Sequence, residues 1–222
     1  MTQELTHDWF STNENCWKLI IDTLKPKKIL EIGSYEGKSA CYLIDTCSEY
    51  APVDIFCVDT WQGGDEHQRL PELDKIEVTF QNNISHSMKN AKNPVSFHKR
   101  KGESGVELSR LLAENEKGFD LIYIDASHMA ADVILDACLS FRLLKTGGVM
   151  IFDDYYWKAR PELSNEELAK IFMGLDHPKP AIDAFFGLYH NKMEQIKFSN
   201  NDENGNPVFM ETYQFYLRKI CD

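Results

Sequence analysis

The chain has 222 residues, of which 43% are hydrophobic and 27% charged, a composition that suits one large soluble domain with a substantial core. Its formal net charge of -11 repels phosphate backbones and argues against nucleic acid as a partner. The first ten residues lack a basic start and an apolar stretch, no run approaches the ~20 apolar residues of a membrane span, and the six cysteines form no C-x-x-C pair, so the reading is a cytoplasmic protein with no membrane segment, disulfide framework or zinc site.

Residues 12–25 carry Trp17, Ile20, Ile21 and Leu24 at helical spacing, with Ser11 or Thr12 as the cap and Pro26 as the stop. The stretch I-L-E-I-G-S-Y-E-G-K-S, residues 29–39, then organises the chain. Ile29, Leu30 and Ile32 are β-formers suited to a buried parallel strand. Gly33 and Gly37 bracket a tight turn, and Lys38, Ser39 and Ala40 open a helix whose free N–H groups face that turn. The G-x-x-x-G spacing lacks the middle glycine that seats a pyrophosphate. With the acidic Glu31 just before the turn, this favours a cofactor bearing an amine over a dinucleotide.

Val53 to Val58 is a second strand ending at Asp59, 22 positions beyond Gly37 and placed to accept the hydroxyls of a ribose. Residues 60–74 form a polar loop with Gly63-Gly64 and Trp61, followed by a helix over 75–90 with Ile76, Phe80, Ile84 and Met88 on one stripe. His98-Lys99-Arg100-Lys101 closes a short strand from Val95 and reads as a solvated edge. Gly102-Glu103-Ser104 leads into a helix with Val106, Leu108, Leu111 and Leu112, and a fourth strand, F-D-L-I-Y-I, ends at Asp125. Ser127 is placed to cap the next helix, whose inner face is read as Ala131, Ile134, Cys138 and Phe141 and whose end is Thr146-Gly147-Gly148. Val149 to Phe152 is the fifth strand, ending in Asp153-Asp154.

The bulky run Tyr155-Tyr156-Trp157 suits a substrate wall. Ser164 and Glu167 make a capping box, His177-Pro178-Lys179-Pro180 breaks the chain, and Ile182, Phe185, Phe186 and Tyr189 line a further helix. Met193 to Phe198 and Val208 to Leu217 read as a closing antiparallel pair. The alternation predicts an α/β, doubly wound Rossmann-like seven-stranded sheet, mostly parallel with a C-terminal antiparallel hairpin, in one domain over residues 1–222. Residues 1–26 are its N-terminal helical segment, and 155–190 a helical insertion on the substrate side. Asp59, Asp125, Asp153 and Asp154 all fall at carboxyl ends of strands, the edge where open α/β sheets bind ligands.

With these motifs the chain resembles class I S-adenosylmethionine-dependent methyltransferases. Glu31 to Gly37 is similar to their first motif and Asp59 to their ribose acid; Gly102-Glu103-Ser104 sits where such enzymes contact the adenine. Ile124-Asp125-Ala-Ser-His128 with Phe152-Asp153-Asp154-Tyr155 is similar to the metal-dependent O-methyltransferases, most closely the macrocin and mycinamicin sugar group and more distantly catechol O-methyltransferase. The resemblance implies S-adenosyl-L-methionine in contact with Glu31, Gly33, Ser34, Gly37, Asp59, Glu103, Ser104 and Asp125. It also implies Mg²⁺ or another divalent cation on Asp125, Asp153 and Asp154. Asp154 stands where the catechol enzyme has an asparagine, and Asp153 where the sugar enzymes have a glutamate.

An aliphatic hydroxyl needs help to become nucleophilic, and a divalent ion lowers the pKa of a bound hydroxyl as it does that of water. Neighbouring aspartates in a strand point to opposite faces, so Asp153 and Asp154 share an ion only if the strand has ended by Asp154. His128, three residues beyond Asp125, is assigned as general base, with Asp125 beside it in the catalytic set. The expected partner is a small hydroxylated acceptor against Tyr155, Tyr156 and Trp157, with a homo-oligomer left open. The competing readings are a metal-independent methyltransferase, a non-catalytic S-adenosylmethionine-binding protein of the same fold, and a non-haem iron oxygenase, for which one histidine and three acids are a poor donor set.

Overall fold

The structure is a computed structural model and describes residues 4–63, 75–156, 177–201, 207–209 and 212–222. Most of the polar loop over 60–74, the helix expected from Ser164 and Trp157 itself lie outside the described residues. Nine strands are described: β1 (Lys28–Ile32), β2 (Val53–Asp59), β3 (Val95–Lys101), β4 (Phe119–Ile124), β5 (Leu144–Phe152), β6 (Met193–Gln195), β7 (Ser199–Asn201), β8 (Pro207–Phe209) and β9 (Phe215–Lys219). The α-helices among the described residues are α1 (Glu14–Leu24), α2 (Lys38–Cys47), α3 (Ile76–Asn90), α4 (Ser104–Ala113), α5 (Ala130–Leu143) and α6 (Pro178–Tyr189).

Seven strands form the main sheet in the order β3-β2-β1-β4-β5-β9-β6. β1 to β5 pair in parallel, and β9 runs antiparallel to both β5 and β6. The chain reverses its direction of growth between β1 and β4, which makes their carboxyl ends the topological switch point. Strand alternation sends Ile29, Ile55, Leu121, Tyr123 and Ile151 to one face, where Trp17, Leu43 and Phe80 of α1, α2 and α3 cover them. Leu30, Phe56, Ile122 and Met150 go to the other, under Leu108, Ala137 and Ile182 of α4, α5 and α6. Both faces of β1 and β4 are therefore dry, which is why these strands read as near-continuous apolar runs.

Several expectations change in detail. α1 has Asn13 before it with no side-chain cap; Ser11 and Thr12 lie in a 3₁₀ turn, and the Ser11 amide is instead held by Asp8 at 3.0 Å. α5 buries Ala130, Val133, Ala137 and Phe141, while Ala131 is exposed and Ile134 and Cys138 lie at the flank. The helix is turned because it packs against α4 and α6 as well as the sheet. Val106 is exposed. Thr146-Gly147-Gly148 does not end α5: the helix stops at Leu143, and β5 already runs through these residues, with an irregularity opposite Phe119 to Leu121.

Ser127 lies before the cap, where its hydroxyl accepts from the Met129 amide at 3.1 Å. His177-Pro178-Lys179-Pro180 starts α6 rather than merely breaking the chain. The His177 ring accepts from the Lys179 amide at 3.0 Å, and Pro178 takes the first helical position. The closing pair differs from the expected two strands: β6, only Met193–Gln195, and β9 extend the main sheet, while β7, beyond the expected end at Phe198, pairs with β8 as a separate ribbon.

Candidate active site

β1 delivers the chain into a turn closed by Gly37 N donating to Ser34 O at 2.7 Å. Gly33 and Gly37 take φ of +85° and +84°, where a side chain is strained. Gly37 also caps α2, so the free N–H groups of that helix face the turn. Asp59 reaches across from β2: its Oδ2 accepts from the amides of Ser34 at 2.7 Å and Tyr35 at 2.9 Å, and its Oδ1 from Trp61 at 2.7 Å. The acid read as a ribose ligand stands at the expected strand tip, and its partners here are the N–H groups that shape the turn.

Glu31 is fully buried beneath the turn, where it accepts from the hydroxyls of Ser34 and, at 2.6 Å, Ser39. Burial pushes its carboxyl up to about 7. It braces the turn from below through these two hydroxyls. Glu103 is exposed, and its carbonyl accepts from Val106 and Glu107 at the start of α4. Ser104 opens α4, and Asp136 of the adjoining α5 is a buried carboxyl that burial raises to about 7, with the Ser104 hydroxyl acting to lower it.

At the next strands the backbone ladder runs on past the regular elements, with Asp125 N donating to Ile32 O at 2.8 Å and Asp153 N to Ile124 O at 2.9 Å. Gly33, Asp125 and Asp153 thus stand in register along the sheet edge. Asp154 takes φ +55°, so the strand has ended before it, as a shared site requires. Its amide is tied to Asp153 Oδ1 at 2.9 Å, and its Oδ2 lies 2.8 Å from His128 Nε2.

One ligand atom each from Asp125, His128 and Asp154 lies within 4.8 Å of the others. Asp153 is turned away toward the hydroxyl of Tyr123. Two of the three acids expected to hold a cation therefore converge, with His128 in the third place. Burial, then the charges of Asp153 and Asp154, push the Asp125 carboxyl well above the usual range. Burial and Asp154 raise Asp153 to about 6. Two carboxylates and an imidazole, with the Asp125 carboxyl raised, make a donor set that a divalent cation would relieve.

Of the aromatic wall, Tyr155 is largely packed, stacked on Phe215 at 4.6 Å with its hydroxyl bonded to Asp183 at 2.7 Å and Lys179 at 2.7 Å. Tyr156 is exposed and meets Tyr155 edge-on. Both line a cavity of about 790 Å³ with Phe198, Tyr213, Gln214 and Phe215.

Sequence reasoning missed Tyr123, Gln214 and His177. Tyr123 had a signal, since it lies two residues before Asp125 and so shares its face of β4. Gln214 had none. His177 is buried near Asp154 and His128; burial, then the Lys179 charge, lowers its pKa.

The model of a family described as "Methyltransferase domain" matches residues 30–155, which takes in the glycine turn and the acid cluster. No curated protein matches the chain by sequence. Among solved structures, an O-methyltransferase of Bacillus cereus in complex with S-adenosylhomocysteine superposes with a TM-score of 0.59 at 18% identity, covering 97% of this chain and 84% of that one. An O-methyltransferase of Streptomyces achromogenes involved in tomaymycin synthesis, solved with S-adenosylmethionine, gives 0.62 at 14%, covering 97% and 82%. A TDP-rhamnose 3'-O-methyltransferase of calicheamicin biosynthesis gives 0.55 at 14%, covering 95% and 81%. At these identities the likeness is one of fold.

Proposed function

Because the chain belongs to the methyltransferase-domain family, we propose that it moves a methyl group from S-adenosylmethionine to a hydroxyl of a small polyhydroxylated molecule, aided by Mg²⁺ or another divalent cation. The observation that carries this reading is the convergence of Asp125, His128 and Asp154 on one point of the sheet edge, beside the glycine turn. The solved neighbours that hold S-adenosylmethionine or its demethylated product support the cofactor, and the sugar methyltransferase supports the acceptor class. The six cysteines, all free, suit a cytoplasmic location.

S-adenosylmethionine would supply a methyl carbon on a sulfonium, and a bound cation would lower the pKa of an acceptor hydroxyl. The chain's own task is alignment. The backbone from Gly33 to Gly37 and Asp59 would seat the cofactor. Asp125, His128 and Asp154 would hold the cation, and Tyr156 would face the acceptor. The exchange balances when the acceptor oxygen forms its bond to the methyl carbon as the carbon–sulfur bond breaks and the hydroxyl proton passes to a base.

A second reading rests on the 2.8 Å pair of His128 and Asp154. In it His128 is the base, oriented by Asp154, and no cation is needed.

The test is a mass-shift screen of hydroxylated metabolites with S-adenosylmethionine, run with Mg²⁺ and with a chelator. A methylated product formed only with the ion supports the first reading, and equal product with chelator supports the second. No methylated product from any hydroxylated compound, together with no calorimetric binding of S-adenosylhomocysteine, would overturn both. In the same calorimeter Asp59→Ala should bind S-adenosylhomocysteine more weakly by about 1.5–3 kcal/mol, the scale of a hydrogen bond to a charged group.

A further inference from the structure

Behind the acid cluster lies a buried chain of hydrogen bonds that the site as read from sequence does not include. Gln214 is 2% exposed, and its Oε1 accepts from Trp17 Nε1 at 2.7 Å and from the Tyr216 hydroxyl at 2.6 Å. An indole N–H can only donate, so these two bonds fix which end of the amide is oxygen. The Nε2 end must face the other way. There it meets the Tyr123 oxygen at 3.5 Å.

Tyr123, 1% exposed, reaches Asp125 Oδ2 at 2.9 Å and makes a shorter bond to Asp153 Oδ2. Because Gln214 presents N–H to the Tyr123 oxygen, the phenol proton is directed at the two carboxylates. Asp153 then has two donors: the Tyr123 hydroxyl and the amide of Asp154. The last of these closes the left-handed residue that carries the Asp154 carboxylate to His128.

We propose that Tyr123, oriented by Gln214, is a positioning residue for the active site: it anchors Asp153 and Asp125 so that Asp125, His128 and Asp154 present their ligand atoms to one cation. Gln214 also lines the cavity beside Tyr155 and Tyr156, so the same amide joins the acceptor side to the acids. The inference rests on the cation reading above. Outer contacts of this kind typically govern metal affinity by 10–100-fold.

The experiment is Mn²⁺ titration followed by water-proton relaxation, on wild type, Tyr123→Phe and Gln214→Met, with S-adenosylhomocysteine calorimetry on each. Tyr123→Phe keeps the ring that packs edge-on against Trp17 at 4.7 Å and removes only the hydroxyl. It should bind Mn²⁺ at least tenfold more weakly and S-adenosylhomocysteine as wild type does, a split that general loosening of the fold would not give. Gln214→Met should lose several-fold in Mn²⁺ affinity and decides the matter if Tyr123→Phe does not fold. Folded variants that bind Mn²⁺ like wild type overturn the positioning role and leave the cation site standing. A wild type that binds no Mn²⁺ removes the cation reading and this inference with it.

Discussion

The carbonyl oxygen of Asp125 occupies the space in which a side chain on Gly33 would begin, because a Cβ there would lie 1.9 Å away from it. The turn read as a cofactor cradle and the acid read as catalytic are thus in backbone contact. Gly33→Ala combines this clash with a φ of +85° and should cost at least about 3 kcal/mol, measured as a shift in urea midpoint. Gly118 has nearly the same φ, +84°, with nothing within 4 Å of a Cβ. Gly118→Ala should therefore cost only about 1–2 kcal/mol. Equal costs would show that the Gly33 contact is relieved by a small shift.

His128 and Asp154 separate the two readings of the site. Millimolar Mg²⁺ or Mn²⁺ should raise the melting temperature at pH 7 by several degrees, since binding at 100 times Kd contributes about 2.7 kcal/mol. Asp154→Asn should lose most of that shift. His128→Gln should lose it too if the imidazole is a ligand, and keep it if the imidazole is only a base. As a base, His128 removed to alanine should cost on the order of 10²–10⁴-fold in kcat once an acceptor is in hand.

The doubly wound sheet was legible because β1 and β4, at its centre, are buried on both faces and the helices between strands recur at regular spacing. The acid tips were legible too, as the apolar runs of β2, β4 and β5 end at Asp59, Asp125 and Asp153. Which acids converge was not, because Asp154 depends on a left-handed backbone fixed by the Asp153 side chain. Nor was the inner face of α5, which neighbouring helices turn by one position. Gln214 acts through Trp17, 197 positions away, and no local pattern encodes such a pair.

Glu31 gives stability a pH dependence whose sign follows from its burial. Its carboxyl rises from 4.5 to about 7 on folding, so the folded chain holds that proton more tightly than the unfolded chain. The stability this contributes is full below about pH 4.5 and is lost as pH rises through about 7, a fall on the order of 3 kcal/mol. Glu31→Gln has no proton to lose and should be less sensitive to pH between 5 and 8 by that amount in urea melts. The fall due to Asp136, also raised to about 7, would remain in the variant. A wild type and variant with parallel pH profiles would mean that Glu31 is not protonated in the folded state near neutrality.

The N-terminal segment is held onto the glycine turn by two buried polar side chains. Asn83 of α3, 1% exposed, accepts from Glu4 N at 2.8 Å and donates to Glu4 O at 2.7 Å and to Glu36 O at 2.9 Å. Glu36, within the turn and 2% exposed, accepts from the Thr6 amide at 2.7 Å and hydroxyl at 3.0 Å. Trp9 packs against Tyr35 of the same turn with ring centroids 5.2 Å apart. Replacing Asn83 by alanine leaves the Glu4 amide and two carbonyls without these partners, a loss of about 1–3 kcal/mol in global stability. The release is local, so it should also appear as a changed Trp9 emission and as faster proteolysis ahead of α1 at urea concentrations well below the unfolding midpoint. Since Tyr35 and Glu36 belong to the turn that would seat the cofactor, S-adenosylhomocysteine should bind Asn83→Ala several-fold more weakly. Unchanged affinity together with a released N-terminus would show that the turn keeps its shape without the segment.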